Sequence, residues 1–264
     1  MPQPIRFSDA PHQARVLDVL FEPLVYLSNL AVATSLYPAY RTTRIQWEPD
    51  VAELIRLFKE RSRPIICFAW HAYELNGFCA FRDFPRDLMP LAVGHDGPLS
   101  RALQQSASWY DFPVWVYRRR SPIPPKAQIV NLLKAERPVI GVFPDSGGPD
   151  GHIRPGFLEV ARAAEALLVP MAWHARPVLS VRPAPRRYCL PVPFSSILAC
   201  YGQPIDGVHA TADGCRSALE ALERLVHFQV QEGSARRLRA GRRPNSSGIR
   251  FRGNDRIRDR RRGR

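Results

Sequence analysis

The chain has 264 residues, 45% of them apolar, enough to bury one good core as one large domain or two small ones. Of its formal net charge of +14, residues 235–264 supply +11 (thirteen Arg against two Asp), which leaves +3 for the body. The basicity is that of a tail, not of a folded nucleic-acid-binding face, and five cysteines without CxxC spacing read as reduced, mostly buried thiols of an intracellular protein.

Residues 1–12 are polar, with Pro2, Pro4 and Pro11, and read as loose. No basic region, apolar core and cleavage site follow in order, so no secretory signal is expected. Residues 15–38 are the most apolar long segment, interrupted by Asp18, Glu22 and Pro23. Its uninterrupted part, Leu24 to Tyr37, is shorter than the ~20 residues a spanning helix needs. It suits an interfacial helix, with Tyr26, Tyr37, Tyr40, Arg41, Arg44 and Trp47 at a headgroup boundary, or a helix packed on its own domain. Three segments follow: an apolar helical segment 1–48, an α/β domain 49–233, and an Arg-rich disordered tail 234–264, too poor in apolar residues to order itself.

Asp50–Arg61 is an amphipathic helix, with Val51, Leu54, Ile55, Leu57 and Phe58 on one side. Ile65–Trp70 is a short apolar run after Pro64 and reads as a buried strand. Strands are expected at Leu88–Val93, Phe112–Tyr117, Pro138–Phe143, Leu167–Trp173 and Tyr188–Phe194. Helices are expected at Pro98–Ser108, Pro124–Ala135, Pro155–Ala166 and Thr211–Gln231, the last with Leu219, Leu222, Leu225 and Val226 on one face. The alternation predicts an α/β fold: a mixed, mostly parallel sheet flanked by helices.

Four of the strands end in groups that can carry chemistry. The first ends at His71, with Tyr73, Glu74 and Asn76 close behind. The second runs into Gly94-His95-Asp96-Gly97, the third into Arg118-Arg119-Arg120 and the fourth into Asp145 and the turn Ser146-Gly147-Gly148. Sites in open α/β sheets form where strands end at their carboxyl edge. A histidine there can exchange protons near neutral pH, and an oxygen of Glu74 or Asn76 can fix its tautomer. Arginines can clamp a phosphate, and backbone N–H groups of a Gly-rich turn can cradle an anion. The plain alternatives are a strand cap, a solvated arginine face and an ordinary turn. The sequence holds no G-x-S-x-G, Walker A, G-x-G-x-x-G after a strand or H-E-x-x-H, and its histidines show no paired metal spacing.

Six ordered blocks carry a resemblance: Trp70-His71; Gly94-His95-Asp96-Gly97; Val116-Tyr117-Arg118; Pro144-Asp145-Ser146-Gly147-Gly148-Pro149; Arg154-Pro155-Gly156; and Val169-Pro170. Over roughly Tyr40 to Asp206 the chain resembles the lysophospholipid acyltransferase superfamily, and most closely its bacterial domain-of-unknown-function group 374. The resemblance implies a glycerol-3-phosphate acyltransferase-like fold. It also implies transfer of a fatty acyl group to a hydroxyl of a lysophospholipid or glycolipid. The co-substrate would be acyl-CoA or acyl carrier protein, with no cofactor and no metal. His71 would be the general base, with Glu74 and Asn76 beside it. Arg118, with Arg119 and Arg120 as register alternatives, Asp145, Ser146, Gly147, Gly148 and Arg154 would hold the acceptor or its phosphate. The implied partners are membrane lipids, at the cytoplasmic face of a bacterial inner membrane, with the protein peripheral. Nucleic acid is expected only through the tail. Two departures stand out. Asn76 replaces the aspartate of the superfamily's His, four residues, Asp motif, and an amide cannot balance imidazolium charge. Ser146-Gly147-Gly148 lacks the arginine that many members carry there, which leaves Arg154 to supply the charge. The alternatives are a non-catalytic lipid-binding member of the fold, or a binder of anionic polymer or membrane through the tail.

Overall fold

The computed structural model of the protein describes residues 37–96, 107, 110, 112–145, 151–181 and 188–241. The expected N-terminal apolar helix, most of the helix expected over Pro98–Ser108, the turn Ser146-Gly147-Gly148 and residues 242–264 lie outside them. The described residues up to Val230 form one compact unit and those from Gln231 another.

A helical stretch at 37–42 leads into strand β1 (Arg44–Glu48), helix α1 (Val51–Glu60) and strand β2 (Ile65–Phe68). A 3-10 turn at His71–Tyr73 runs directly into helix α2 (Glu74–Ala80). Strands β3 (Leu91–His95) and β4 (Val114–Tyr117), helix α3 (Pro125–Glu136), strand β5 (Val139–Val142) and helix α4 (Pro155–Ala163) follow. The chain closes with β6 (Leu167–Val181), β7 (Tyr188–Tyr201), β8 (Ile205–Asp206) and helix α5 (Ala212–Gly241). The strands make one eight-stranded sheet in the order β1-β7-β6-β2-β5-β3-β4, with β8 beside β6. All pairings are parallel except β6 with β7 and with β8. The expected α/β fold with a mixed, mostly parallel sheet and flanking helices is the one observed.

β2 sits centrally, between β6 and β5, and all four of its residues are buried. Side chains alternate along a strand. Ile65, Cys67 and Ala69 therefore join the core beneath α1 and α2, with Leu54 and Phe58. Ile66, Phe68 and Trp70 join the opposite core, with Leu133 of α3, Phe157 of α4 and Leu219 of α5. A strand covered on both faces must be apolar at every position, which is why this run was legible.

Several expectations are corrected in detail. Arg44–Glu48 is an edge strand paired with β7, so the sheet begins before residue 49. Trp47 packs on Phe81 and Phe84, and Tyr40 on Tyr110, so these two of the four aromatics of the supposed boundary are engaged within the fold. The strands at 167 and 188 are a long hairpin, 15 and 14 residues each. The pairing register shifts between Arg176 and Val178, so Pro177 need not donate to the ladder. Helix α5 continues past Gln231 to Gly241, through the strong helix formers Ala235, Arg236, Arg237 and Leu238. Cys215, Leu219, Leu222 and Val226 form its buried stripe, while Leu225, expected on that face, is exposed. All five cysteines are buried, and none forms a disulfide.

Candidate functional site

Strands β2, β5, β3 and β4 are consecutive neighbours and mutually parallel, so their carboxyl ends share one edge of the sheet. His71 follows β2, His95 ends β3, Arg118 follows β4 and Asp145 follows β5. The four strand ends that the sequence marks are thereby brought together.

Trp70 is still extended, and the backbone then tightens into the 3-10 turn that starts at His71. Placing residues 71 and 74 three apart on one helical face puts their side chains in reach. The His71 Nε2 lies 3.1 Å from Glu74 Oε2, and both side chains are largely buried. Glu74 also opens α2, where a carboxylate complements the helix dipole. The edge of Phe143 closes on the imidazole, with ring centroids 5.5 Å apart. From below, the His71 backbone N–H donates to Asp145 Oδ1 at 3.0 Å. Asp145 is itself buried. Burial pushes its carboxyl above the ordinary carboxylate range, against the N–H groups of His71, Asp145 and Gly151 that favour the ionised form.

Asn76 makes no such contact. It is fully buried on α2, and neither its amide oxygen nor its nitrogen has a hydrogen-bond partner. Of the two candidates for orienting His71, the structure pairs the ring with Glu74 alone.

Beyond the imidazole lies an apolar cavity of about 40 Å³. Cys67 and Ala69, Gly77 and Phe78 of α2, Gly141 of β5 and Trp173 of β6 line it. Glu74 and Phe143, which both meet the His71 ring, line it as well, while His71 itself does not. Gly77 lets α2 approach the indole: a Cβ there would stand 3.1 Å from the Trp173 ring.

Arg118, Arg119 and Arg120 are exposed, and none of their guanidiniums enters a hydrogen bond or ion pair among the described residues. Their backbone is nonetheless held. Gln128 Oε1 accepts from the Arg118 N–H at 3.0 Å, and Gln128 Nε2 donates to the carbonyls of Arg118 and Ile123. Asp96 Oδ1 accepts from the Arg119 N–H at 3.1 Å. Arg154 precedes α4, with its N–H on the Pro144 carbonyl and its side chain exposed. Three cations thus stand ready on a braced loop, one strand beyond His95. Ser146, Gly147 and Gly148 lie outside the described residues.

Two contributors escaped the sequence reading. Gln128 looks like any polar helix residue. Glu223 of α5 is half-buried, and burial pushes its carboxyl above the ordinary carboxylate range while Tyr73 and Trp70 favour its ionised form. Its signal was visible: it lies four residues after Leu219 and three before Val226, inside the buried stripe of α5.

Among the described residues no helix is long and apolar enough to cross a membrane, and no group of three or more metal-binding side chains is found. No protein-family model matches the chain, and no curated protein is detectably similar to it.

Proposed function

We propose that the protein is an O-acyltransferase that moves a fatty acyl group from an acyl thioester to a hydroxyl of a lysophospholipid or glycolipid. The observation that carries this reading is the His71–Glu74 pair at 3.1 Å, on the carboxyl edge of the sheet and against an apolar cavity. The ordered sequence blocks resembling the lysophospholipid acyltransferase superfamily point the same way.

The chemistry follows from the groups in hand. Donation of the Nε2 proton to Glu74 leaves the imidazole lone pair on Nδ1. Nδ1 takes the proton of the acceptor hydroxyl as its oxygen attacks the thioester carbonyl carbon. The tetrahedral intermediate then collapses, the C–S bond breaks, and the imidazolium returns the proton to the leaving thiolate. Glu74 stabilises the imidazolium in between. Such general-base help is worth roughly 10²–10⁴-fold. The cavity accepts apolar chain, and Arg118 with its neighbours meets an acceptor phosphate or the phosphates of the thioester carrier. Acyl-CoA or acyl carrier protein serves as donor, membrane lipid as acceptor, and the protein acts at the membrane surface, on the cytoplasmic side.

The test is acyl transfer from a radiolabelled acyl thioester to a membrane lipid extract, comparing wild type with His71→Ala. A lipid product that disappears in the variant supports the reading and identifies the acceptor. A product formed equally by both removes His71 as the base. A second reading, lipid binding without transfer, is favoured by Asn76 standing where the superfamily carries aspartate. It predicts retention of labelled lipid by both proteins with no product from either.

A further inference from the structure

We propose that the β6–β7 arm docks on an anionic lipid bilayer, with Phe194, Leu179 and Val178 entering the interface and Arg41, Arg44 and Arg176 meeting its phosphates. The proposal rests on the acyltransferase reading for its catalytic consequence and on geometry alone for the docking itself.

Register places the arm. β6 runs parallel to β2, with Pro170 beside Phe68. β2 ends there, while β6 continues to Val181, so its later residues run beyond the carboxyl edge that carries His71. The turn at His71–Tyr73 lies beside β6 and β7. Ser196 of β7 stands opposite both Arg176 of β6 and Arg44, the first residue of β1. Cross-strand partners share a face, so the two arginines flank Ser196 on one side of the sheet. Both are exposed, as is Arg41 just before β1. The sequence holds no Asp or Glu from 37 to 47 or from 174 to 201, so nothing on these segments offsets that charge.

Phe194 is held out from the fold. It is 80% exposed, yet its φ of 64° lies in the left-handed region, which a bulky side chain enters only at a cost. Both sides of it are pinned. Its N–H donates to Thr42 Oγ1 at 2.8 Å, and the next residue, Ser195, is buried with its Oγ 3.4 Å from Thr43 Oγ1. The strain therefore presents the ring to the outside and contributes nothing to the core. Leu179, 53% exposed, and Val178 follow Arg176 on β6 and point to opposite faces of the arm. A lone exposed apolar side chain needs no explanation. Three on one projecting arm, beside three exposed arginines, match an interfacial anchor: apolar groups enter the acyl boundary and cations take the headgroup phosphates. A protein partner would cover one face of the arm, whereas bare apolar groups on both faces favour insertion of the arm into lipid. Docked this way, the protein turns the edge that carries His71 toward the bilayer that supplies the acceptor.

The experiment uses the full chain and vesicles of phosphatidylcholine, with and without anionic phosphatidylglycerol. The native cysteines are buried, so a thiol-reactive, polarity-sensitive fluorophore goes to an introduced one. Phe194→Cys reports the arm. Lys134→Cys, exposed near the end of α3 where the chain returns to the start of β5, reports the opposite edge. Anionic vesicles should shift the emission at 194 to the blue and leave that at 134 unchanged, with a smaller shift at 194 on neutral vesicles. The Arg-rich tail can bring the chain to a surface but cannot bury position 194. No shift at 194, or an equal shift at both positions, overturns the proposal. A second variant combines Leu179→Ser with Phe194→Asn, since Asn tolerates the left-handed backbone. Its partition onto anionic vesicles should fall roughly tenfold or more at raised salt, where the attraction of the tail is screened. The ratio of transfer to vesicle-borne over detergent-dispersed acceptor should fall with it. Unchanged partition or an unchanged ratio overturns the proposal. Absence of transfer in the wild type overturns the acyltransferase reading instead, and the label at 194 then decides the docking by itself.

Discussion

The backbone N–H of His71 donates to Asp145 Oδ1 at 3.0 Å, joining the ends of two neighbouring parallel strands. Asp145 thus acts on the position of the histidine through its backbone. Its carboxyl is raised by burial, so the folded state holds that proton more tightly than the unfolded chain. Stability should then fall as pH rises from the ordinary carboxylate range through the raised value, and level off above it. Asp145→Asn keeps the acceptor oxygen and should remove that decline in urea titrations taken across acid pH. Asp145→Leu strands the His71 N–H and should cost about 1–3 kcal/mol.

Glu74 pairs its carboxylate with the His71 imidazole. Glu74→Gln preserves size and a hydrogen bond but cannot balance the imidazolium. It should lower kcat by a substantial part of the roughly 10²–10⁴-fold that general-base catalysis supplies, with KM little changed. Initial rates at saturating donor check this, and an unimpaired Gln variant would rule out Glu74 as the charge partner.

Asn76 buries two unpartnered amide atoms. Asn76→Leu, of nearly the same shape, should stabilise the protein by about 1–3 kcal/mol and leave transfer intact, since the amide does not reach the imidazole. Denaturant midpoints measure the first, and the acyl-transfer assay the second. A stabler but inactive variant would show that the strain at Asn76 is kept for function.

The cavity offers a test of chain selection. A Cβ at Gly141 would meet nothing nearer than Pro90 at 3.9 Å, so a side chain fits there and projects into the apolar space. Gly141→Val also suits a strand. It should fold normally and shift donor preference toward shorter acyl chains, read as the ratio of kcat/KM for long and short thioesters. An unchanged ratio would place the chain elsewhere.

His174 of β6 faces His227 of α5, with ring centroids 4.5 Å apart, and Arg176 lies further along the strand. Burial, then the electrostatic influence of His227 and of Arg176, pulls its pKa from the ordinary 6.5 to about 4. Below pH 6.5 the unfolded chain therefore takes up a proton that the folded one refuses, and stability is lost as pH falls toward about 4. His174→Phe should flatten this loss, and His227→Gln should reduce it, in unfolding curves at pH 7, 6 and 5.

The parts of the fold that were legible share one property: their burial is decided within the segment. Ile65–Phe68 is covered on both faces and so reads as an unbroken apolar run, and α1 shows its period in Leu54 and Phe58. The edge strand Arg44–Glu48 was missed because only one face is covered, leaving its residues alternately exposed and half-buried. The prolines of the long hairpin hid it, because a shift in register, not a strand end, accommodates Pro177.

For the site, sequence alone determined the chemistry available at each strand end: His71, His95, Arg118 and Asp145, each placed where an apolar run stops. Only the tertiary structure decided which groups act on one another. Whether Glu74 or Asn76 meets the imidazole depends on where the 3-10 turn gives way to α2, an angular difference of one helical face that composition does not carry. That Asp145 grips the turn from 74 residues away depends on strand order. That order is settled by burying apolar area over the whole sheet, and not by any local pattern.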